Sequence, residues 1–122
     1  MFDDVSDQFG ISSISTPRAL ILQVTGAIDL STSVSAQAQF QDAVAELLPP
    51  AVLVLDLTVI EVLSAAGARM MRELIGQCAQ QGVAVRLVAR PGSVVQRNVK
   101  ILGLDEVAPQ FGDLDQALDF EC

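Results

Sequence analysis

The five consecutive apolar residues Ala51–Leu55, ended by Asp56, constrain this chain most. A strand with one wet face alternates apolar and polar side chains; an unbroken run fits a strand set centrally or covered on both faces. Such a strand needs helices to cover it, and the flanking sequence supplies them. Upstream, from Ser31, the residues Ala36, Phe40, Ala43, Val44 and Leu47 recur at helical spacing. Gln37, Gln41, Asp42 and Glu46 lie on the opposite side, and Pro49-Pro50 ends the pattern. Downstream, a helix is predicted from about Ala65 to Gln81, with Met71, Leu74, Ile75 and Cys78 inward and Arg69, Arg72, Glu73 and Gln80 outward. Gly82 is placed as its C-terminal stop.

The other elements follow from the same periods. Phe9–Ser15 reads as a short strand, Thr16-Pro17-Arg18 as a turn, and Ala19–Val24 as a mostly buried strand ending at Gly26. Two short strands joined this tightly form an antiparallel pair. Val83–Ala89 is a further strand, and Pro91-Gly92 a turn. Ser93 caps a helix carrying Val95, Val99 and Leu102, closed by Gly103. Val107-Ala108 is read as a short strand, and Asp113 with Gln116 as a capping box opening a last helix, Leu114–Asp119. The order β-β-α-β-α-β-α-β-α predicts one α/β domain. Its sheet is mostly parallel, of four or five strands with an antiparallel N-terminal edge strand, and about four helices cover it. At 122 residues there is room for one domain, assigned to residues 9–120, with residues 1–8 read as a flexible N-terminus.

Composition narrows function. The chain has no histidine, tryptophan or tyrosine. Ser-His-Asp and Cys-His nucleophile systems and His-bearing metal sites are therefore excluded, and aromatic cages and base-stacking platforms have only five Phe to draw on. A net charge of -8 disfavours nucleic acid and anionic membranes as partners. That charge is unevenly spread. Residues 1–66 carry -7, residues 101–122 carry -6, and residues 67–100 carry +5 through Arg69, Arg72, Arg86, Arg90, Arg97 and Lys100 against Glu73. Either these cations are an ordinary solvated surface, or they form a locally basic partner face on an acidic protein. The acidic start, Met1-Phe2-Asp3-Asp4, lacks the features of a signal peptide, and no apolar run is long enough to span a membrane, so a cytoplasmic location is expected. Cys78 and Cys122 match no metal-binding or redox spacing. Cys78 is expected to be a buried hydrophobe and Cys122 a mobile terminus, with a bridge between them the alternative.

No glycine-rich phosphate-binding motif is present, and nothing brings Asp56 and Glu61 into acid–base geometry. No catalytic residue, metal or cofactor is therefore expected. The informative stretch runs from Leu53 to Met71: an apolar strand into Asp56-Leu57-Thr58, an apolar connector, then the small residues Ser64-Ala65-Ala66-Gly67 opening a helix. In open α/β sheets the carboxyl ends of strands are where ligands and partners meet the fold, and a helix N-terminus there offers free N–H groups. Ser64 as a plain N-cap and Gly67 as a packing residue are the structural alternative.

This stretch resembles the signature of the STAS domains, specifically of the single-domain bacterial anti-sigma factor antagonists. Asp56-Leu57-Thr58-Val59-Ile60-Glu61-Val62-Leu63-Ser64-Ala65-Ala66-Gly67-Ala68 lies on that signature without a gap. Gly26-Ala27-Ile28-Asp29 is similar to a second element near the end of an early strand. Lys100-Ile101-Leu102-Gly103-Leu104-Asp105-Glu106, followed by an acidic terminal helix, is similar to a third. The three occur in order and at ordinary spacing across residues 10–119. The resemblance implies a protein-binding switch: an antagonist that sequesters an anti-sigma factor, often a serine kinase of the ATPase type, and so frees a sigma factor. In the family that kinase phosphorylates a serine at the helix start and thereby expels the antagonist.

At that switch the sequence departs from the pattern. The family's acidic residue falls on Ser64, its phosphoacceptor serine on Ala65 and the next small residue on Ala66, while Gly67 matches. The Glu of the early element falls on Ala27, whereas Asp29 matches. The expectation is an antagonist that is not phosphorylated at the usual position, with a one-residue shift to Ser64 as the alternative. The expected partner surface combines Asp29, Ser64, Ala65, Ala66 and Gly67 with Arg69 and Arg72, which suit an acidic partner helix. Two other classes stay open: an accessory STAS subunit of a transport system, and a small-ligand sensor. The sequence carries no signal of oligomeric state.

Overall fold

The computed structural model describes residues 9–17 and 19–119. The expectations for residues 1–8, Arg18 and Cys122 fall outside the described residues. The elements in chain order are β1 (Gly10–Ser15), β2 (Ala19–Ile28), α1 (Ser33–Ala45), β3 (Ala51–Asp56), β4 (Ile60–Leu63), α2 (Ala65–Gln80), β5 (Val83–Val88), α3 (Val94–Ile101), β6 (Gln110–Phe111) and α4 (Leu114–Ala117). The sheet order is β1-β2-β3-β5-β6, with β4 paired to β2 off this path. Among the described residues only β1 and β2 run antiparallel; the other pairings are parallel. The expected α/β domain is borne out, with the all-apolar strand at its centre: β3 lies between β2 and β5, and Leu53, Val54 and Leu55 are fully buried.

Alternation along the strands makes two layers. Leu22, Val24, Leu53, Leu55, Val85 and Leu87 point into the larger core with Ala36 and Phe40 of α1, Met71 and Leu74 of α2, and Val95 and Val99 of α3. Ile21, Val54 and Val88 point the other way, against Ala117 of α4. On that second face Arg86 donates to the Ala117 carbonyl and sits 5.8 Å from the centre of the Phe111 ring. Cys78 is buried in the larger core, and burial pushes its thiol pKa up, as expected of a small hydrophobe there.

The stop signals sit where the sequence places them. Gly82 and Gly103 adopt positive φ of 81° and 78° just past α2 and α3. Ser93 Oγ accepts from Gln96 N at 3.0 Å and Asp113 Oδ1 from Gln116 N at 2.9 Å. Four details differ, the first being that β2 runs on to Ile28 instead of ending at Gly26. The strand expected at Val107-Ala108 is instead β6, Gln110–Phe111; Val107 and Ala108 close a 3-10 turn begun at Leu104, and Leu87 N bonds the Pro109 carbonyl beside it. Helix α4 ends at Ala117 rather than Asp119. The connector after β3 contains the additional strand β4, which brings the described sheet to six strands.

β4 exists because β2 outruns its neighbour. β2 pairs with β3 from Ala19 to Gln23, then continues past the end of β3 and pairs with β4 from Gly26 to Ile28. The register shifts between Gly26 and Ala27, where Gly26 has φ of 83°, a conformation glycine adopts without strain. This bend carries the tip of β2 to the start of α2.

Candidate functional site

The tip of β2 and the start of α2 are joined through one carbonyl. Ile28 O accepts from Ser64 N at 3.0 Å, and Ser64 Oγ lies 3.4 Å from the same oxygen. Ser64 has extended backbone, and its Oγ accepts from Gly67 N at 3.1 Å, so it is the N-cap of α2. The cap satisfies one of the four N–H groups that a helix start leaves without intrahelical partners. Ser64→Ala is expected to lower stability by about 1 kcal/mol, read from the midpoint of urea unfolding.

Gly67 explains why the joint closes so tightly. A Cβ built on it would lie 2.2 Å from Ile28 O, a backbone atom with nowhere to move. The absence of a side chain lets the first turn of α2 rest directly on the strand. Ala65 faces solvent on that turn, and Ala66 is half-buried beside it.

Asp29 follows β2 immediately and is held in its own loop. Its Oδ1 accepts from Ser31 Oγ at 2.7 Å and from Thr32 N at 3.1 Å. Thr32 donates its hydroxyl to Ala27 O at 2.8 Å and accepts from Asp29 N at 3.0 Å, so the N-cap residue of α1 is turned back onto the strand end. The Ser31 hydroxyl, aided by Thr32, holds the Asp29 carboxyl below its ordinary pKa. A depressed folded-state pKa means a contribution to stability that is present above the unfolded value and lost as pH falls through the folded one. Stability should therefore decline below about pH 4, and Asp29→Asn should flatten that decline in unfolding curves run from about pH 7 to about pH 2.5.

The two arginines assigned to this surface part company. Arg69 is exposed. Arg72, one turn on, donates Nη1 to the Gly103 carbonyl at 2.8 Å and so fastens α2 to the turn after α3. Asn98 of α3 donates to the Leu63 carbonyl at 3.1 Å, one residue before the cap. Helix α3 is thus fastened to the end of β4, just before the start of α2, and the turn after α3 to α2 itself. The structure also places exposed apolar side chains near the joint that the sequence reading passes over: Leu30, directly after Asp29, Val34 in the first turn of α1, and Val62 on β4, exposed by 77%, 80% and 45%. Their signal lies in the apolar Leu30 and Val34 set among the hydroxyls of Ser31, Thr32, Ser33 and Ser35.

A hollow of about 370 Å³ at the start of α1 is lined by Phe9, Ser31, Thr32 and Ser35, with no charged group in its lining. Among the described residues no cluster of three or more His, Cys, Asp or Glu could hold a metal ion, and no helix is long and apolar enough to cross a membrane. The joint as a whole presents a small, smooth helix start with an exposed methyl group, apolar neighbours on one flank and exposed arginine on the other. That arrangement suits contact with a protein surface.

Comparison with known proteins places this geometry. The model of the STAS domain matches residues 11–117. RsfB, an anti-sigma-F factor antagonist of Mycobacterium tuberculosis, is 34% identical over 101 residues, which cover 80% of this chain and 77% of the relative. An anti-sigma factor antagonist from Mycobacterium paratuberculosis superposes with a TM-score of 0.78 at 26% identity, covering 92% of each chain. The anti-sigma factor antagonist SpoIIAA in its unphosphorylated form shares the fold, with a TM-score of 0.63 and 14% identity over 91% of this chain and 93% of that one. With its signature stretch laid across β3, β4 and the start of α2, this chain belongs to the STAS domain family.

Proposed function

We propose that this protein is an anti-sigma factor antagonist: a binding protein, not an enzyme, that captures an anti-sigma factor and so frees a sigma factor. The observation that carries the reading is its 34% identity, over 80% of the chain, to an anti-sigma-F factor antagonist. The exposed start of α2 is the contact surface, with Ser64, Ala65, Ala66 and Gly67 at its centre, Asp29 and Leu30 on one flank and Arg69 on the other. Arg72 belongs to this surface through its neighbours, since its guanidinium is committed to Gly103.

Binding is constitutive in this reading. Ala65 stands where the family's phosphoacceptor serine falls and has no hydroxyl to modify. Ser64 has one, but it is half-buried, caps Gly67 N and lies 3.4 Å from the Ile28 carbonyl oxygen. A phosphate there would set its negative oxygens against that carbonyl and take the side chain out of the joint. The test uses the purified ATPase-type anti-sigma factors of the source genome. One of them should bind this chain by calorimetry and release its sigma factor, and ATP should leave both the mass of this chain and its affinity unchanged. Failure of every anti-sigma factor to bind overturns the antagonist reading. Phosphate on Ser64 by mass spectrometry, with loss of binding, overturns the constitutive one.

A further inference from the structure

Helix α3 has two faces, and among the described residues only one of them packs into the core. Val95 and Val99 are buried in the larger core. On the opposite side Val94, Arg97 and Ile101 follow at the i, i+3, i+7 spacing of a single stripe, with Lys100 beside it. Val94 and Ile101 are 64% and 69% exposed, and Arg97 and Lys100 are exposed as well. An eight-residue helix with large apolar groups on its wet side is over-furnished for a purely structural role. Among the described residues no carboxylate pairs with Arg97 or Lys100. The stripe is therefore both apolar and positively charged, on a chain whose net charge is -8.

Its position ties it to the start of α2. Val94 and Ile101 lie one turn to either side of Asn98, the residue that bonds the Leu63 carbonyl. By helical spacing Val94 and Ile101 lie nearer the side of α3 that carries Asn98, and Arg97 and Lys100 lie farther round it; Val62 of β4 is exposed as well. Size points the same way. A specific protein–protein interface covers about 800 Å² on each partner, and a helix start of four small residues falls well short of that. Whatever protein seats on Ser64–Gly67 must extend over a neighbouring element, and α3 is pinned next to it.

We propose that the stripe Val94–Arg97–Ile101, with Lys100, is a second docking surface, which receives an acidic amphipathic segment of the protein that meets the start of α2. The inference rests on the antagonist reading and specifies the chemistry of its partner: apolar side chains that cover Val94 and Ile101, flanked by carboxylates that face Arg97 and Lys100. Charge complementarity argues for an acidic protein. The same cations on a second copy of this chain would meet one another across a symmetric contact, which is repulsive.

The experiment measures binding of the purified anti-sigma factor to the unaltered chain, to the double variant Arg97→Glu/Lys100→Glu and to Ile101→Ser, at about 50 and about 300 mM salt. The control is Gln39→Glu, an exposed change on α1. All replaced side chains are exposed, so thermal midpoints should stay within a few degrees of the unaltered chain. The double variant should bind at least about tenfold more weakly at low salt, mainly through slower association, and should lose most of the salt dependence. Ile101→Ser should weaken binding about fivefold through faster dissociation at either salt, and Gln39→Glu should change neither. An anti-sigma factor that binds all four proteins with equal affinity and salt dependence overturns the inference and leaves the antagonist reading standing. Absence of binding by the unaltered chain overturns both. Two further results overturn the inference alone: Ile101-dependent dimerisation by sedimentation, or Arg97-dependent binding to phosphatidylserine vesicles with unchanged affinity for the anti-sigma factor.

Discussion

Gly67→Ala should destabilise the domain by about 3 kcal/mol, while the same replacement at Gly76 on the same helix should stabilise it by up to about 1 kcal/mol. Helix propensity alone predicts a gain at both sites, because alanine loses less backbone entropy than glycine on folding. The surroundings reverse the sign at one of them. Around Gly76 nothing lies within 4 Å of where an alanine methyl would sit, so the propensity gain is kept. At Gly67 the methyl would meet the Ile28 carbonyl oxygen at 2.2 Å, with the Ile28 side chain at 2.7 Å behind it. Relief requires lifting α2 off the strand, which lengthens the Ser64 N to Ile28 O bond and opens the core beneath Ala68 and Met71. Thermal midpoints should part by about 10 °C or more, down for Gly67→Ala and slightly up for Gly76→Ala. Equal midpoints for the two variants would show that the strand tip yields freely.

Ala65→Asp should separate binding from stability. Ala65 is exposed in the first turn of α2, so a carboxylate there meets the positive end of the helix and should raise stability by about 0.5 kcal/mol. In the proposed complex the same carboxylate would be trapped in a desolvated contact built around a methyl group. The expected loss in affinity for the anti-sigma factor is about 100-fold, equivalent to about 2.7 kcal/mol. Ala65→Ser adds only a hydroxyl and should leave affinity within about threefold, since a small polar group on an exposed position can keep its water or find a donor. If the partner is a serine kinase, the serine so introduced also becomes a substrate, and ATP should then dissociate a complex that it leaves intact in the unaltered protein. Affinity of Ala65→Asp equal to that of the unaltered chain would place the contact surface elsewhere.

Much of the fold is legible in the sequence. The unbroken run Ala51–Leu55 dictates a central strand, and Ser64, Gly82, Ser93, Gly103 and Asp113 mark helix ends, because these signals act within a few residues of themselves. What escapes such reading depends on distant chain. β4 is a four-residue strand that pairs, among the described residues, only with the overhanging end of β2, so its pairing depends on how far another strand outruns β3. Arg72 reads as an outward cation from its helical position, yet its guanidinium is spent on the carbonyl of Gly103, which only the packing of α3 brings within reach. Gly67 is visible as a glycine in a helix; that it faces Ile28 O is not. The family signature falls on Asp56–Ala68, and the geometry there shows that Ala65 is exposed and takes no part in the joint.

The joint between β2 and α2 is fastened by a main-chain carbonyl, a main-chain amide and an absent side chain. None of these depends on what positions 65 and 66 carry. Folding therefore constrains position 65 only weakly, and a side chain there can gain or lose a hydroxyl while the joint between strand and helix stays closed. Under the antagonist reading, responsiveness to a kinase and stability of the scaffold are then separable properties of this fold.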